Sequence, residues 1–146
     1  MPNTTGRSVK VVVDTSVIVA ALLSPTGGSS KVIAAIKGDQ IRGLISGSTR
    51  NEVERNIAKF RPSFLDEFNY LIKHHFREIV PDPGLVDALG KFVDPDDAHL
   101  LAVCKTANAD FLVSLNRKHL LDNKDAQSAV RARIVSPKDL IATLGL

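Results

Sequence analysis

The sequence predicts a three-layer α/β fold with a parallel central sheet. Short strand-like runs recur along the chain, and helical patterns separate them, which is the grammar of strand–helix–strand units. The first run, Val11-Val12-Val13, is β-branched at three consecutive positions and suits a strand buried on both faces. It exits directly into an aspartate, Asp14. In open α/β sheets, ligands and chemistry sit at that end of the strands.

Taken in order, residues 1–8 are polar and expected to fray. After the first strand, Ser16-Val17-Ile18-Val19-Ala20-Ala21-Leu22-Leu23 reads as a helix. Pro25 to Ser30 is a loop, and residues 30–37 form a second short helix on Val32, Ile33, Ala35 and Ile36, stopped at Gly38. Residues 41–45 make a second strand, weakened by Gly43. A helix over 49–60 ends at the Arg61-Pro62 step. The next covers 64–76, with Phe64, Phe68, Leu71, Ile72 and His75 on one side. A short strand over 77–80 precedes the loop Pro81-Asp82-Pro83-Gly84. Residues 95–108 are the clearest helix. A strand over 111–114, a short helix near Lys118, a strand over 133–135 and a terminal helix from Pro137 complete the chain. With no internal repeat or linker, the 146 residues read as one domain, 1–146, with its core at about 10–135.

The acids are the chemically informative residues. At about 100° per residue, Asp97 lies on the stripe set by Leu100, Leu101, Cys104 and Asn108, while Asp96 lies near its edge. An aspartate there, in the first turn, points back toward the sheet edge and is favoured by the helix N-terminus. Asp94-Pro95-Asp96-Asp97 is also a capping start, and Ser136-Pro137-Lys138-Asp139 repeats its grammar without a chemical partner. Asp14 can likewise be a cap. Glu52 stands three residues after Thr49, a capping-box spacing, and flanks the apolar face of Val53, Ile57 and Phe60. In a doubly wound sheet, Ser114 and Asn116 would border the same crevice as Asp14, although Asn116 also suits a turn. Carboxylates converging there need a cation. Hard oxygen donors favour Mg²⁺ or Mn²⁺ over zinc, and such a site serves phosphoryl chemistry. His74, His75, His99 and His119 show no ligand spacing with one another.

Composition narrows the classes. The formal charge is +3, with acids knotted at Asp94, Asp96 and Asp97 and bases gathered in the middle third and the end. That pattern suits metal ions held under a phosphate backbone as well as an ordinary solvated surface. Tryptophan is absent and aromatics are few, which argues against a base-stacking platform. Gly27-Gly28 lacks the Lys-Ser/Thr of a nucleotide loop. The single cysteine, Cys104, forms no internal bridge and reads as a small core residue, and a cytoplasmic location is expected. Neither a signal peptide nor a membrane span is expected.

The order of motifs resembles the PIN domain. The residues that carry the resemblance are Val12-Val13-Asp14-Thr15-Ser16-Val17, then Glu52-Val53 opening a helix, then Asp94-Pro95-Asp96-Asp97-Ala98-His99-Leu100-Leu101-Ala102, then Ala109-Asp110-Phe111-Leu112-Val113-Ser114. The nearest group is the VapC-like toxins of prokaryotic toxin–antitoxin pairs. The resemblance implies a three-layer α/β/α PIN-like fold and a Mg²⁺- or Mn²⁺-dependent endoribonuclease. It places Asp14, Glu52 and Asp97 as metal ligands and puts Asn116 in the catalytic set. The implied partners are an RNA substrate and a small antitoxin protein, and the resemblance leaves room for a homodimer. The pattern usually carries a glycine or similar residue and then a fourth aspartate after Leu-Val-Ser/Thr. Here Leu115-Asn116 stands instead, an amide without charge.

Asn116 therefore keeps a second reading open: a catalytically impaired PIN domain that binds RNA or an antitoxin. A haloacid-dehalogenase-type phosphatase also begins strand–Asp, but needs a second acid two residues on, where this chain has Ser16. A phospho-receiver domain needs an acidic pair beside its first strand, and Lys10-Val11-Val12-Val13 supplies none.

Overall fold

A computed structural model describes residues 8–146; the expected fraying of residues 1–7 falls outside them. Five strands form one parallel sheet in the order β3-β2-β1-β4-β5. The strands are β1 (Lys10–Val13), β2 (Arg42–Ser46), β3 (Phe76–Ile79), β4 (Phe111–Val113) and β5 (Arg133–Val135). Along the chain the sheet grows outward from β1 through β2 to β3, then returns to the other flank of β1 with β4 and β5. The strand order thus reverses between β1 and β4, paired Val11 to Phe111, Val12 to Leu112 and Val13 to Val113. Such a reversal opens a crevice at the carboxyl ends of its two strands.

Val11, Val12 and Val13 are fully buried, as a central parallel strand requires. Alternation sends them to opposite faces. Val11 and Val13 pack with Val17, Ile18, Val32, Ile36 and Phe68, and Val12 with Leu44, Leu101, Leu112 and Leu120. The first face is covered by α1 (Thr15–Leu23), α2 (Gly28–Lys37), α3 (Gly47–Phe60), α4 (Leu65–His75) and α8 (Pro137–Leu144). The second is covered by α5 (Pro83–Leu89), α6 (Pro95–Ala107) and α7 (Lys124–Ala129). This is the expected three-layer arrangement. No single helix among the described residues is long and apolar enough to cross a membrane.

The observed boundaries differ from the sequence reading in instructive places. The loop expected at Pro81 to Gly84 holds a helix start: Asp82 Oδ1 accepts from Gly84 N at 2.9 Å and Pro83 opens α5. The short helix near Lys118 is a π-helical turn (Arg117–Leu121), and α7 follows it unannounced. Helix α3 begins at Gly47, not Thr49, because Ser46 is its cap: Ser46 Oγ accepts from Thr49 N at 3.1 Å and donates to Thr49 Oγ1 at 3.1 Å. Thr49 and Glu52 therefore form no capping box. Gly43 weakens no packing. A Cβ there would lie 2.9 Å from Ile36 Cγ2 and 3.0 Å from Phe76 Cε2, so the glycine lets α2 and β3 close onto β2. Cys104 is buried in the core as read, and burial pushes its thiol up to about 12.

Candidate functional site

At the β1/β4 reversal lies a cleft of about 260 Å³, walled by Asp14, Glu52, Asp94, Asp96, Asp97, Asn116 and His119. Each wall has a local cause. Asp14 leaves β1 with its backbone still held to β4, Asp14 N donating to Val113 O at 3.1 Å. Its side chain makes no capping bond to α1. Instead Asp14 Oδ2 accepts from Ser16 Oγ at 3.1 Å and from Ser114 Oγ at 2.7 Å. Those hydroxyls in turn accept from Leu115 N at 3.1 Å and Asn116 N at 2.9 Å. Two backbone amides thus relay their polarity through two serines onto one carboxylate oxygen, and such chains polarise one another. Both bonds fall on Oδ2, so Oδ1 has no hydrogen-bond partner among the described residues.

Glu52 is exposed and reaches the cleft from the second turn of α3. Arg50 Nε donates to Glu78 Oε1 at 2.7 Å, tying that part of α3 to β3. Ser48 and Thr49 also line the cleft. On α6, Asp97 is buried and Asp96 exposed, as the helical phase requires. Burial pushes the Asp97 carboxyl above the ordinary range. Nearby His119 opposes the shift, while Asp94, Asp14 and Asp96 add to it by repulsion. The four acids therefore sense one another across the cleft.

Asn116 is at the cleft, but its carboxamide oxygen is engaged: Asn116 Oδ1 accepts from His119 N at 3.2 Å and caps the π-helical turn. Three further residues stand here: Asp94, which the sequence offered only as a cap and as part of the acidic knot, and two histidines to which it gave no site role. Asp94 lacks a capping bond, and its Oδ2 lies 3.2 Å from His119 Nδ1. His119 Nδ1 is also 3.4 Å from Asp97 Oδ2. His99 lines the cleft, and its Nε2 is buried with no hydrogen-bond partner among the described residues. The only sequence signal for His119 is its place three residues after a capping asparagine. Asp110, part of the fourth motif, lies at the opposite end of the sheet, where Oδ2 accepts from Lys10 N at 2.8 Å.

A family model described as PIN domain matches residues 10–118. This chain belongs to the PIN domain family. PIN domains are generally nucleases that use divalent metals. No curated protein sequence matches the chain. Solved structures share its fold at low identity. PAE2754 from Pyrobaculum aerophilum is 15% identical, covering 94% of this chain and 90% of that one, with a TM-score of 0.62. FitAcB from Neisseria gonorrhoeae is 12% identical over 88% and 98%, with a TM-score of 0.63. VapBC2 from Rickettsia felis, solved bound to a DNA fragment from their promoter, is 12% identical over 87% and 98%, with a TM-score of 0.62.

The donor set of this PIN domain fits a divalent cation. Carboxylates following β1 and on α3 and α6 face one cleft, and Asp97, raised first by burial, is raised further by like-charge repulsion. A bound cation relieves that repulsion.

Proposed function

We propose that the chain is a Mg²⁺- or Mn²⁺-dependent endoribonuclease that acts in the cytoplasm as the toxin of a toxin–antitoxin pair. The observation that carries the nuclease reading is that Asp14, Glu52 and Asp97 line one cleft at the β1/β4 crevice, with Asp97 raised first by burial and further by repulsion from Asp94, Asp14 and Asp96. The toxin role rests on the resemblance of the motifs to VapC-like toxins. The fold shared with FitAcB and VapBC2 supports it, and with it a small antitoxin partner.

In this reading Asp14, Glu52 and Asp97 hold the cation. When bound, the ion polarises a phosphodiester oxygen and lowers the pKa of a water. Ser16 and Ser114 orient Asp14 by fixing Oδ2, which leaves Oδ1 for binding. Burial keeps Asp97 from turning away from the cleft. Ser48, which lines the cleft, suits a phosphate backbone laid over it.

The test compares wild type with Asp14→Asn, using calorimetric titration of Mn²⁺ and cleavage of an RNA oligonucleotide. Loss of both metal binding and cleavage with the fold intact is expected. Unchanged Mn²⁺ affinity in the variant would remove Asp14 from the site. One observation favours the impaired PIN domain instead: Asn116 brings no charge, and its oxygen is already bonded to His119 N. RNA binding without cleavage at saturating Mn²⁺ would select that reading.

A further inference from the structure

The cleft contains a nitrogen donor that neither the acidic motifs nor the spacing of the histidines announces. Asp94, Asp97 and His119 each offer one ligand atom, and the three atoms lie within 4.8 Å of one another. His119 Nδ1 is 3.2 Å from Asp94 Oδ2 and 3.4 Å from Asp97 Oδ2, so the ring lies against both carboxylates. Its backbone is clamped from both sides. Asn116 Oδ1 accepts from His119 N at 3.2 Å, and Asn123 Nδ2 donates to His119 O at 3.1 Å. These bonds fix the backbone that carries the ring, and the contacts to Asp94 and Asp97 direct the ring toward the cleft. Asp94 is oriented by the same contact. Among the proline-opened starts of α5, α6 and α8, Asp82 and Ser136 cap their own helices, and Asp94 alone gives its oxygen to His119.

We propose that His119 supplies an imidazole nitrogen to the cation of this cleft and makes the site select Mn²⁺, and other transition-metal dications, over Mg²⁺. The inference rests on the metal-dependent reading above and sharpens it. Mg²⁺ is a hard ion that demands oxygen and holds its waters, whereas imidazole suits first-row transition metals. A neutral nitrogen beside the carboxylates also brings less negative charge than another acid would, which weakens the electrostatic hold on Mg²⁺ most. His119 binds through the ring nitrogen that carries no proton, the ring's proton resting on the other nitrogen, and the ion takes over its contacts to Asp94 and Asp97.

The experiment uses the full chain freed of metal, with Mn²⁺ and Mg²⁺ titrated separately by calorimetry, and pulsed EPR of the bound Mn²⁺. Wild type, His119→Gln and His119→Asp are compared. Wild type should prefer Mn²⁺ and show coupling from a ligating nitrogen. His119→Gln should lose that coupling and about tenfold or more of its Mn²⁺ affinity, with a far smaller change for Mg²⁺. His119→Asp should gain affinity for Mg²⁺. Mn²⁺ bound without nitrogen coupling in wild type, or coupling that persists in His119→Gln and so comes from His99, overturns the proposal and leaves the metal-dependent reading standing. No binding of either ion overturns both.

Discussion

Two helix starts in this protein share one grammar and have opposite uses. Ser136-Pro137-Lys138-Asp139 opens α8, and Asp94-Pro95-Asp96-Asp97 opens α6: a capping residue, a proline at the first helical position, and an aspartate three residues after the cap. At α8 the grammar is fulfilled. Ser136 Oγ accepts from Asp139 N at 3.1 Å, and Asp139 is exposed. At α6 the proline still starts the helix, but Asp94 makes no capping bond, and Asp97 is buried among other acids. A helix start that forgoes its cap and crowds its carboxylates gives up stability. Such losses concentrate where a protein does chemistry. The comparison teaches that a motif is read by what its side chains touch, since the two tetrads cannot be told apart by spacing.

The sharpest way to break the comparison is to neutralise the matched aspartates. Asp97→Asn is expected to lower RNA cleavage on the order of a hundredfold or more, whereas Asp139→Asn leaves cleavage unchanged. Equal losses in both, measured by single-turnover cleavage, would mean that helix integrity and not metal chemistry accounts for Asp97.

A smaller effect concerns the caps. Ser136→Ala should cost about 1 kcal/mol, because it removes an observed bond, and Asp94→Ala should cost less in metal-free protein, because none is lost. Urea unfolding of both variants checks this, and a larger cost for Asp94→Ala would show a capping role that the geometry does not contain.

The smallest expected effect is a pH dependence with a reversed sign. Because the folded carboxyl of Asp97 sits above its unfolded value of 3.8, the folded state holds this proton more firmly. Its contribution to stability is fully present below that value and is lost as pH rises through the raised one. Asp97→Asn, neutral at every pH, should therefore melt higher than wild type near neutrality without metal. The gain should vanish in acid. Thermal melts across that range test the sign, and a gain that grows toward low pH would contradict it.

Much of the architecture was legible because burial and periodicity are local signals. Val11 to Val13 announced a central strand, and the stripe of Leu100, Leu101 and Cys104 announced α6 with Asp97 on its inner side. What escaped had no such signal. Helix α7 buries only Ala126, and α5 hides behind Pro81-Asp82-Pro83-Gly84, whose composition is that of a turn. Thr49 imitated a cap because Gly47 and Ser48 gave no hint that the helix had already begun at Gly47, capped by Ser46. In the cleft, Asp14 and Asp97 could be placed from strand and helix phase. The contact of His119 with Asp94 could not, because it arises only when β4 docks beside β1 and carries the π-helical turn toward α6. Spacing among the histidines was silent because each of the two histidines at the cleft stands among residues of other types.

The hydrogen bond from Ser114 to Asp14 joins residues one hundred positions apart. Its consequence is temporal. During synthesis the chain emerges from its amino end, and Asp14, Glu52 and Asp97 all precede β4 in the chain, so each emerges before β4 can hold β1 on its open flank. Until Phe111 to His119 arrive, one wall of the cleft is missing, and Asp14 lacks both the Ser114 hydroxyl and the Leu115 amide behind Ser16. A nascent chain therefore carries its carboxylates unassembled past the ribosome's own RNA, and the finished geometry comes into being only after most of the polypeptide has left.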